Sequence, residues 1–215
     1  MIKFDKNEVI LFQGDSITDG LRGRDYNDLN HVLGHGYQYI LGSEFYADNI
    51  GRDINVINRG VSGNRIADLY GRWNEDCLDL NPTVLSVLVG VNDAWFSYSN
   101  RGGSNPDKYE KIYHYMLDEV LEKNPNTKIV IMEPFFAVSK DATFYQYLSA
   151  NVPLYAEKAR KVAEDYKAIF VPLQDMFDEK AKETDSFDLI WDGVHPTALG
   201  HQLIARRWKE YFQKG

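Results

Sequence analysis

The sequence predicts an α/β fold of the doubly wound kind, a parallel sheet with helices on both faces. Three observations predict it. Five short runs rich in Val, Ile, Leu and Phe lie at 9–13, 54–58, 84–89, 128–132 and 168–172. Most of these runs are nearly continuous in apolar residues, as strands buried on both faces are. Segments of helical periodicity separate them, so strand and helix alternate along the chain.

Taken in order, the strand at 9–13 ends in Gly14 and leads into a long connection, 18–36, holding Arg22, Arg24, Asp25, Asp28, His31 and His35. A helix is expected at 37–47, then the strand at 54–58, a single helix at 66–80, and the strand at 84–89. Pro106–Lys123 carries the clearest helical pattern, with Tyr109, Ile112, Tyr113, Met116, Val120 and Leu121 on one face. After the strand at 128–132, a second long connection, 135–152, gathers Phe135, Phe136, Phe144, Tyr145 and Tyr147. Long connections in compact domains are often functional, and surface insertion is the alternative for both. A helix at 153–167 carries Tyr155, Ala159, Val162, Ala163 and Tyr166. The strand at 168–172 follows, and a last helix at 196–213 closes the chain with Leu199, Leu203, Ile204, Trp208 and Tyr211. Without a repeat, linker or low-complexity tract, the chain reads as one domain over 1–215.

Composition narrows the function. The chain has 215 residues, 44% of them apolar and 26% charged, which excludes a disordered chain. A net charge of −8 argues against nucleic acid as a partner, since phosphate-backbone binding needs a basic surface. The apolar runs fall far short of the ~20 residues of a membrane span. Residues 1–8 hold no stretch of signal-peptide length, and the lone Cys77 has no internal partner, so a cytoplasmic location is expected. Cys77 itself reads as a small buried apolar residue. The 14 Tyr, 11 Phe and 4 Trp suit a core, an interface or a ligand-stacking surface equally.

In open α/β sheets, ligands bind beyond the carboxyl ends of the strands. The residues found there are Gly14-Asp15-Ser16, then Arg59-Gly60-Val61-Ser62-Gly63-Asn64, then Gly90-Val91-Asn92-Asp93, and, ahead of the last helix, Trp191-Asp192-Gly193-Val194-His195-Pro196. Each has an ordinary structural explanation: a helix cap, a tight turn, an Asx turn, a polar residue before proline. Jointly they supply what serine hydrolysis needs. A serine hydroxyl is a weak nucleophile unless a base takes its proton, and His195 offers an imidazole with a suitable pKa. Asp192, three residues earlier, can accept the other ring N–H and fix the tautomer. The order Ser, Asp, His is one of the known triad orders. The oxyanion formed on attack needs preorganised donors, for which the backbone N–H groups of Ser16 and Gly63 and the side-chain amide of Asn92 are the natural set.

Through these four blocks the chain resembles the SGNH (GDSL-like) serine hydrolases, in the family's order and over nearly its whole length. The resemblance implies a three-layer α/β/α, flavodoxin-like fold with a five-stranded parallel sheet. It implies metal-free ester hydrolysis without a cofactor, with Ser16 as nucleophile, His195 as base and Asp192 as its partner. It also implies an oxyanion hole of Ser16, Gly63 and Asn92. The run from Asn58 to Asn64, the Gly90-Val91-Asn92-Asp93-Ala94-Trp95 segment and Trp191-Asp192-x-x-His195-Pro196 are further similar to bacterial intracellular acetylxylan esterases. Those relatives imply an acetylated small carbohydrate, such as an acetylated xylo-oligosaccharide, as substrate, and a homo-oligomer. Such a neutral ester suits a chain of charge −8.

Trp95 and Trp191 flank the catalytic blocks. Either can stack on a sugar, limit the acyl pocket to acetyl, or simply pack. Asp15 is a further candidate for substrate contact, although Asp15 and Asp93 also suit loop-holding hydrogen bonds. His31 and His35 lack a third ligand at a useful spacing, so no metal site is expected. Arg59 is expected to pair with a carboxylate, and His201 to be structural. Two other functions compete. A lysophospholipase, thioesterase or aryl esterase would need an apolar channel, which Phe135, Phe136 and Phe144 could line. A non-catalytic binding module would not need the complete set of Ser16, Gly63, Asn92, Asp192 and His195.

Overall fold

The computed structural model describes residues 1–98 and 102–215. In chain order the elements are β1 (Val9–Gly14), α1 (Ser16–Asp19), α2 (Tyr37–Asp48), β2 (Asn55–Asn58), α3 (Ile66–Gly71), α4 (Trp73–Asp76) and a 3-10 turn at Leu78–Leu80. There follow β3 (Val84–Leu88), α5 (Val91–Tyr98), α6 (Pro106–Lys123), β4 (Lys128–Met132), α7 (Ala142–Asp165), β5 (Ile169–Val171), α8 (Gln174–Lys180), α9 (Ser186–Leu189) and α10 (Ala198–Lys214).

The five strands form one parallel sheet in the order β2-β1-β3-β4-β5. From β1 the chain crosses to the edge at β2, returns past β1 to β3, and then steps outward. The direction reverses between β1 and β3, and that switch point opens a crevice beyond their carboxyl ends. Ser16 follows β1 and Asn92 follows β3, so the topology alone brings two of the four blocks to the crevice.

Helices cover both faces. Phe12 of β1 packs its ring against Tyr37 of α2 and Trp208 of α10, with centroids 5.8 and 6.1 Å apart. Trp208 is fully buried and donates its indole N–H to Ser86 Oγ at 2.9 Å, which ties α10 to the central strand β3. On the other side α3, α6 and α7 pack together, and Trp73 donates its indole N–H to the Met116 carbonyl at 3.0 Å. Among the described residues no helix is long and apolar enough to cross a membrane.

The sheet and the layers follow the sequence expectation. Three connections do not. The single helix expected at 66–80 is broken into α3, α4 and the 3-10 turn. It breaks at Arg72, whose backbone leaves the helical region while its guanidinium reaches Asn64 Oδ1 and Asp76 Oδ2, both at 2.8 Å. The helix expected to start at Pro153 starts at Ala142 instead, capped by Asp141, whose Oδ1 accepts from the N–H groups of Thr143 and Phe144. An interior proline usually costs about 3 kcal/mol. Here Phe144, Leu148 and Val152 are buried along the same stripe as Tyr155 and Ala159, and the apolar face carries the helix across Pro153. The connection at 135–152 is therefore mostly helix. Val91–Tyr98, for which the sequence predicts no element, is the helix α5.

Candidate active site

Glycine 14 ends β1 because nothing larger fits. A Cβ there would lie 2.3 Å from the Leu88 carbonyl oxygen and 2.5 Å from Thr18 Oγ1. The chain turns at once into α1, where Asp15 caps the helix by accepting the Ile17 N–H at 3.0 Å. Ser16 is the first residue of that helix, so its N–H lies among those that find no intrahelical acceptor.

Asp192 and His195 stand on a closed loop. Ile190 bridges Pro196, the Trp191 N–H donates to the His195 carbonyl at 3.1 Å, and the Thr197 N–H to that of Leu189 at 2.9 Å. Asp192 Oδ1 accepts the Val194 and His195 N–H groups at 3.0 and 2.8 Å, which leaves Oδ2 for His195 Nδ1 at 2.7 Å. His195 Nε2 lies 2.8 Å from Ser16 Oγ. These distances suit an unbroken chain of hydrogen bonds from carboxylate to hydroxyl. Burial alone would raise the Asp192 pKa, but its bonds to the His195 ring and to two backbone N–H groups outweigh burial and hold the carboxyl below its usual range. The hydrogen bond to Asp192 raises the His195 imidazole above its usual value against the opposing effect of burial.

The Gly63 turn is bound to the nucleophile's helix. The Val61 N–H donates to the Gly14 carbonyl at 3.0 Å, and the Ser62 N–H and hydroxyl donate to Asp19 Oδ2 at 2.9 and 2.8 Å. Gly63 has φ +82°, a left-handed conformation that favours glycine. Asn92 Nδ2 donates one hydrogen to the Asn64 carbonyl at 3.1 Å, joining the third block to the second and leaving its other hydrogen for a ligand. Ser16, His195, Asp192, the Gly63 turn and Asn92 are thus joined through hydrogen bonds around one crevice.

Other expected residues fall differently. Asp15 is fully buried, and burial pushes its carboxyl up to about 7. It caps α1 beneath the crevice and offers substrate no surface, which corrects its place among the substrate contacts. Asp93 is buried as well, raised to about 7 by burial, and holds the N–H groups of Ile66 and Ser104. Trp95 packs on Phe144 with centroids 4.9 Å apart and turns toward the His195 ring at 6.5 Å. Trp191 stacks on the His195 ring with centroids 6.3 Å apart and is 61% exposed. Arg59 pairs with Asp76 at 3.3 Å and covers the Tyr26 ring. His201 is buried, its pKa lowered to about 4 by burial, and its Nδ1 accepts the Tyr37 N–H. Phe135 is fully buried against Phe177, which corrects its place in a channel wall. Phe136 lines a cavity of about 210 Å³ with Val138, Tyr145, Phe177, Leu189 and Ile190.

Sequence reasoning missed the scaffold under the oxyanion turn: Asp19, Asn58 and Arg22. Asn58 Oδ1 accepts the Gly60 N–H at 2.8 Å, and Arg22 Nε donates to the Gly60 carbonyl at 2.9 Å. The available signal was the position of Asp19, one helical turn after Ser16 and therefore on its face.

Comparison with known proteins agrees with this geometry. Residues 12–203 match the model of the GDSL-like lipase/acylhydrolase family. An acetylxylan esterase of Geobacillus stearothermophilus is 34% identical over 217 residues, covering 95% of this chain and 94% of its own. A GDSL-like lipase candidate from Parabacteroides merdae superposes with a TM-score of 0.92 at 36% identity, covering 100% of this chain and 99% of its own. A crystal structure of the Geobacillus stearothermophilus acetylxylan esterase superposes with a TM-score of 0.79 at 31% identity, covering 98% and 96%.

Proposed function

The chain belongs to the GDSL-like lipase/acylhydrolase family, and on that premise we propose that it is a serine esterase that removes O-acetyl groups from small carbohydrates, acetylated xylo-oligosaccharides above all. The observation that carries the chemistry is the continuous chain from Asp192 through His195 to Ser16 Oγ. Likeness to the acetylxylan esterase over 95% of the chain supports the substrate class.

The residues act in a fixed order. Ser16 Oγ attacks the acetyl carbonyl carbon while its proton passes to His195 Nε2. Asp192 stabilises the imidazolium so formed. The carbonyl π electrons move onto oxygen, which the N–H groups of Ser16 and Gly63 and the Asn92 amide receive. Collapse of the tetrahedral intermediate breaks the bond to the sugar oxygen, and that oxygen takes the proton back from His195. Water then attacks the acetyl-serine by the same route, with His195 as base, and acetate leaves.

The indoles of Trp95 and Trp191, both beside His195, suit a sugar ring, since aromatic faces and sugar C–H groups pack well together. The proposal extends to a single hydrolase domain, a homo-oligomer and a cytoplasmic location. These rest on the resemblance, the uninterrupted core and the unpaired Cys77. Acetate release across a panel of acetylated sugars tests the substrate. Release from acetylated xylo-oligosaccharides is expected. Release from another acetylated sugar but not from these overturns the xylan assignment, and faster cleavage of p-nitrophenyl octanoate than acetate favours the lipid-type reading.

A further inference from the structure

Asp19 has no part in the triad, yet it is almost fully buried between the nucleophile and the oxyanion turn. It is the last residue of α1, one helical turn from Ser16. Its Oδ2 accepts three donors: the Ser62 N–H at 2.9 Å, the Ser62 hydroxyl at 2.8 Å and Arg24 Nη2 at 2.8 Å. Its Oδ1 accepts the Arg22 N–H at 3.2 Å. Burial would raise its pKa, but Arg24 and Ser62 outweigh burial and hold it below the usual carboxylate range, so the group is charged at neutral pH.

A buried charge is expensive to desolvate and is kept where each oxygen is bonded. Both Ser62 bonds fall on one residue of an irregular turn, and the next residue is Gly63. The turn crosses α1 at backbone contact, for a Cβ on Gly60 would lie 2.4 Å from the Asp19 nitrogen. The side chain that carries Ser62 therefore grows from the same one-turn helix as Ser16.

We infer that Asp19 is a positioning residue that sets the Gly63 N–H against Ser16 Oγ, so that donor and nucleophile move as one rigid unit. Arg24 steadies the carboxylate from the solvent side. The inference rests on the esterase reading of the site and adds to it the origin of oxyanion-hole preorganisation. Its effect falls on the transition state, because the Gly63 N–H strengthens its bond only as charge develops on the substrate oxygen.

Asp19→Asn and Ser62→Ala, compared with the intact protein, test it. Four quantities are read: kcat and KM for p-nitrophenyl acetate, inhibition by an alkylboronic acid, and the thermal midpoint. The boronic acid forms an Oγ–B bond as the Ser16 proton passes to His195, and its tetrahedral adduct sets an oxygen where the oxyanion forms. Asp19→Asn is expected to lower kcat about 10²-fold, as loss of one oxyanion donor does, with KM within about threefold. Boronic acid affinity falls with it. Ser62→Ala, on an exposed residue, removes only the hydroxyl bond and lowers kcat and boronic acid affinity together by a smaller factor. If Asp19→Asn does not fold, Ser62→Ala decides alone. Unchanged kcat, or a fall in kcat without a fall in boronic acid affinity, overturns the inference. An intact protein whose turnover does not depend on Ser16 overturns the esterase reading instead.

Discussion

Replacing Gly60 by alanine separates the oxyanion turn from the nucleophile's helix without touching a catalytic group. The added Cβ would lie 2.4 Å from the Asp19 nitrogen, 2.7 Å from the Thr18 carbonyl carbon and 2.9 Å from the Asp19 Cα. All three are backbone atoms, so no side chain can swing aside. Ordinary contact begins near 3.4 Å, and the turn must lift from α1 by about 1 Å. Such a lift strains the bonds of Gly60 to Asn58 and Arg22. Overpacking of this kind costs about 1–3 kcal/mol, or roughly 2–12 °C in Tm for a chain of this size. Displacing the Gly63 donor by ~1 Å costs about 10²-fold in kcat. The assay is p-nitrophenyl acetate turnover beside a thermal melt, with two alanine controls. Gly71 faces open space, so its alanine variant retains the activity and stability of the unmodified chain. Gly63 has room for a Cβ, with Phe96 at 3.9 Å, but its φ of +82° makes alanine cost about 1–2 kcal/mol. A Gly60→Ala protein as active and as stable as Gly71→Ala would refute the reasoning.

Two further outcomes follow from the same geometry. Asp192→Asn removes the hydrogen bond that raises the His195 pKa. His195 works as a neutral base, so kcat/KM falls as pH drops through its pKa, and the acid limb moves to lower pH in the variant. Its plateau drops by about 10⁴ because the imidazole loses its tautomer partner, and an acid limb that stays in place in the pH–rate profile contradicts this. Trp208→Ala leaves a cavity between β1, β3 and α10 and strips Ser86 Oγ of its donor, at about 3–5 kcal/mol. A thermal melt should show a loss of roughly 6–20 °C, and a loss of one or two degrees would mean that the core closes over the gap.

How much could be read from the sequence depended on the range of the forces involved. The strands at 84–89 and 128–132 were legible because burial on both faces leaves few polar positions. The site was legible because Ser16, Gly63, Asn92, Asp192 and His195 each stand just past a strand end or just ahead of a helix, where topology decides the neighbours. Helix boundaries were less so. Pro153 is a local stop signal, and it lost to the stripe of Phe144, Leu148, Val152 and Tyr155, whose burial is tertiary. The break at Arg72 depends on Asn64 and Asp76, which no local pattern reveals. Asp15 looked available because it adjoins the nucleophile, whereas its capping bond turns it inward. Asp19 stayed hidden because its partner, Ser62, is 43 residues away.

The central claim is that Ser16 carries the acetyl group between the two half-reactions. The most direct measurement is mass spectrometry of the protein quenched during turnover of an acetyl ester, with the modified peptide sequenced. One acetyl group on Ser16, absent from Ser16→Ala along with turnover, is the result expected. Acetylation at another residue, or hydrolysis that survives Ser16→Ala, would contradict the account.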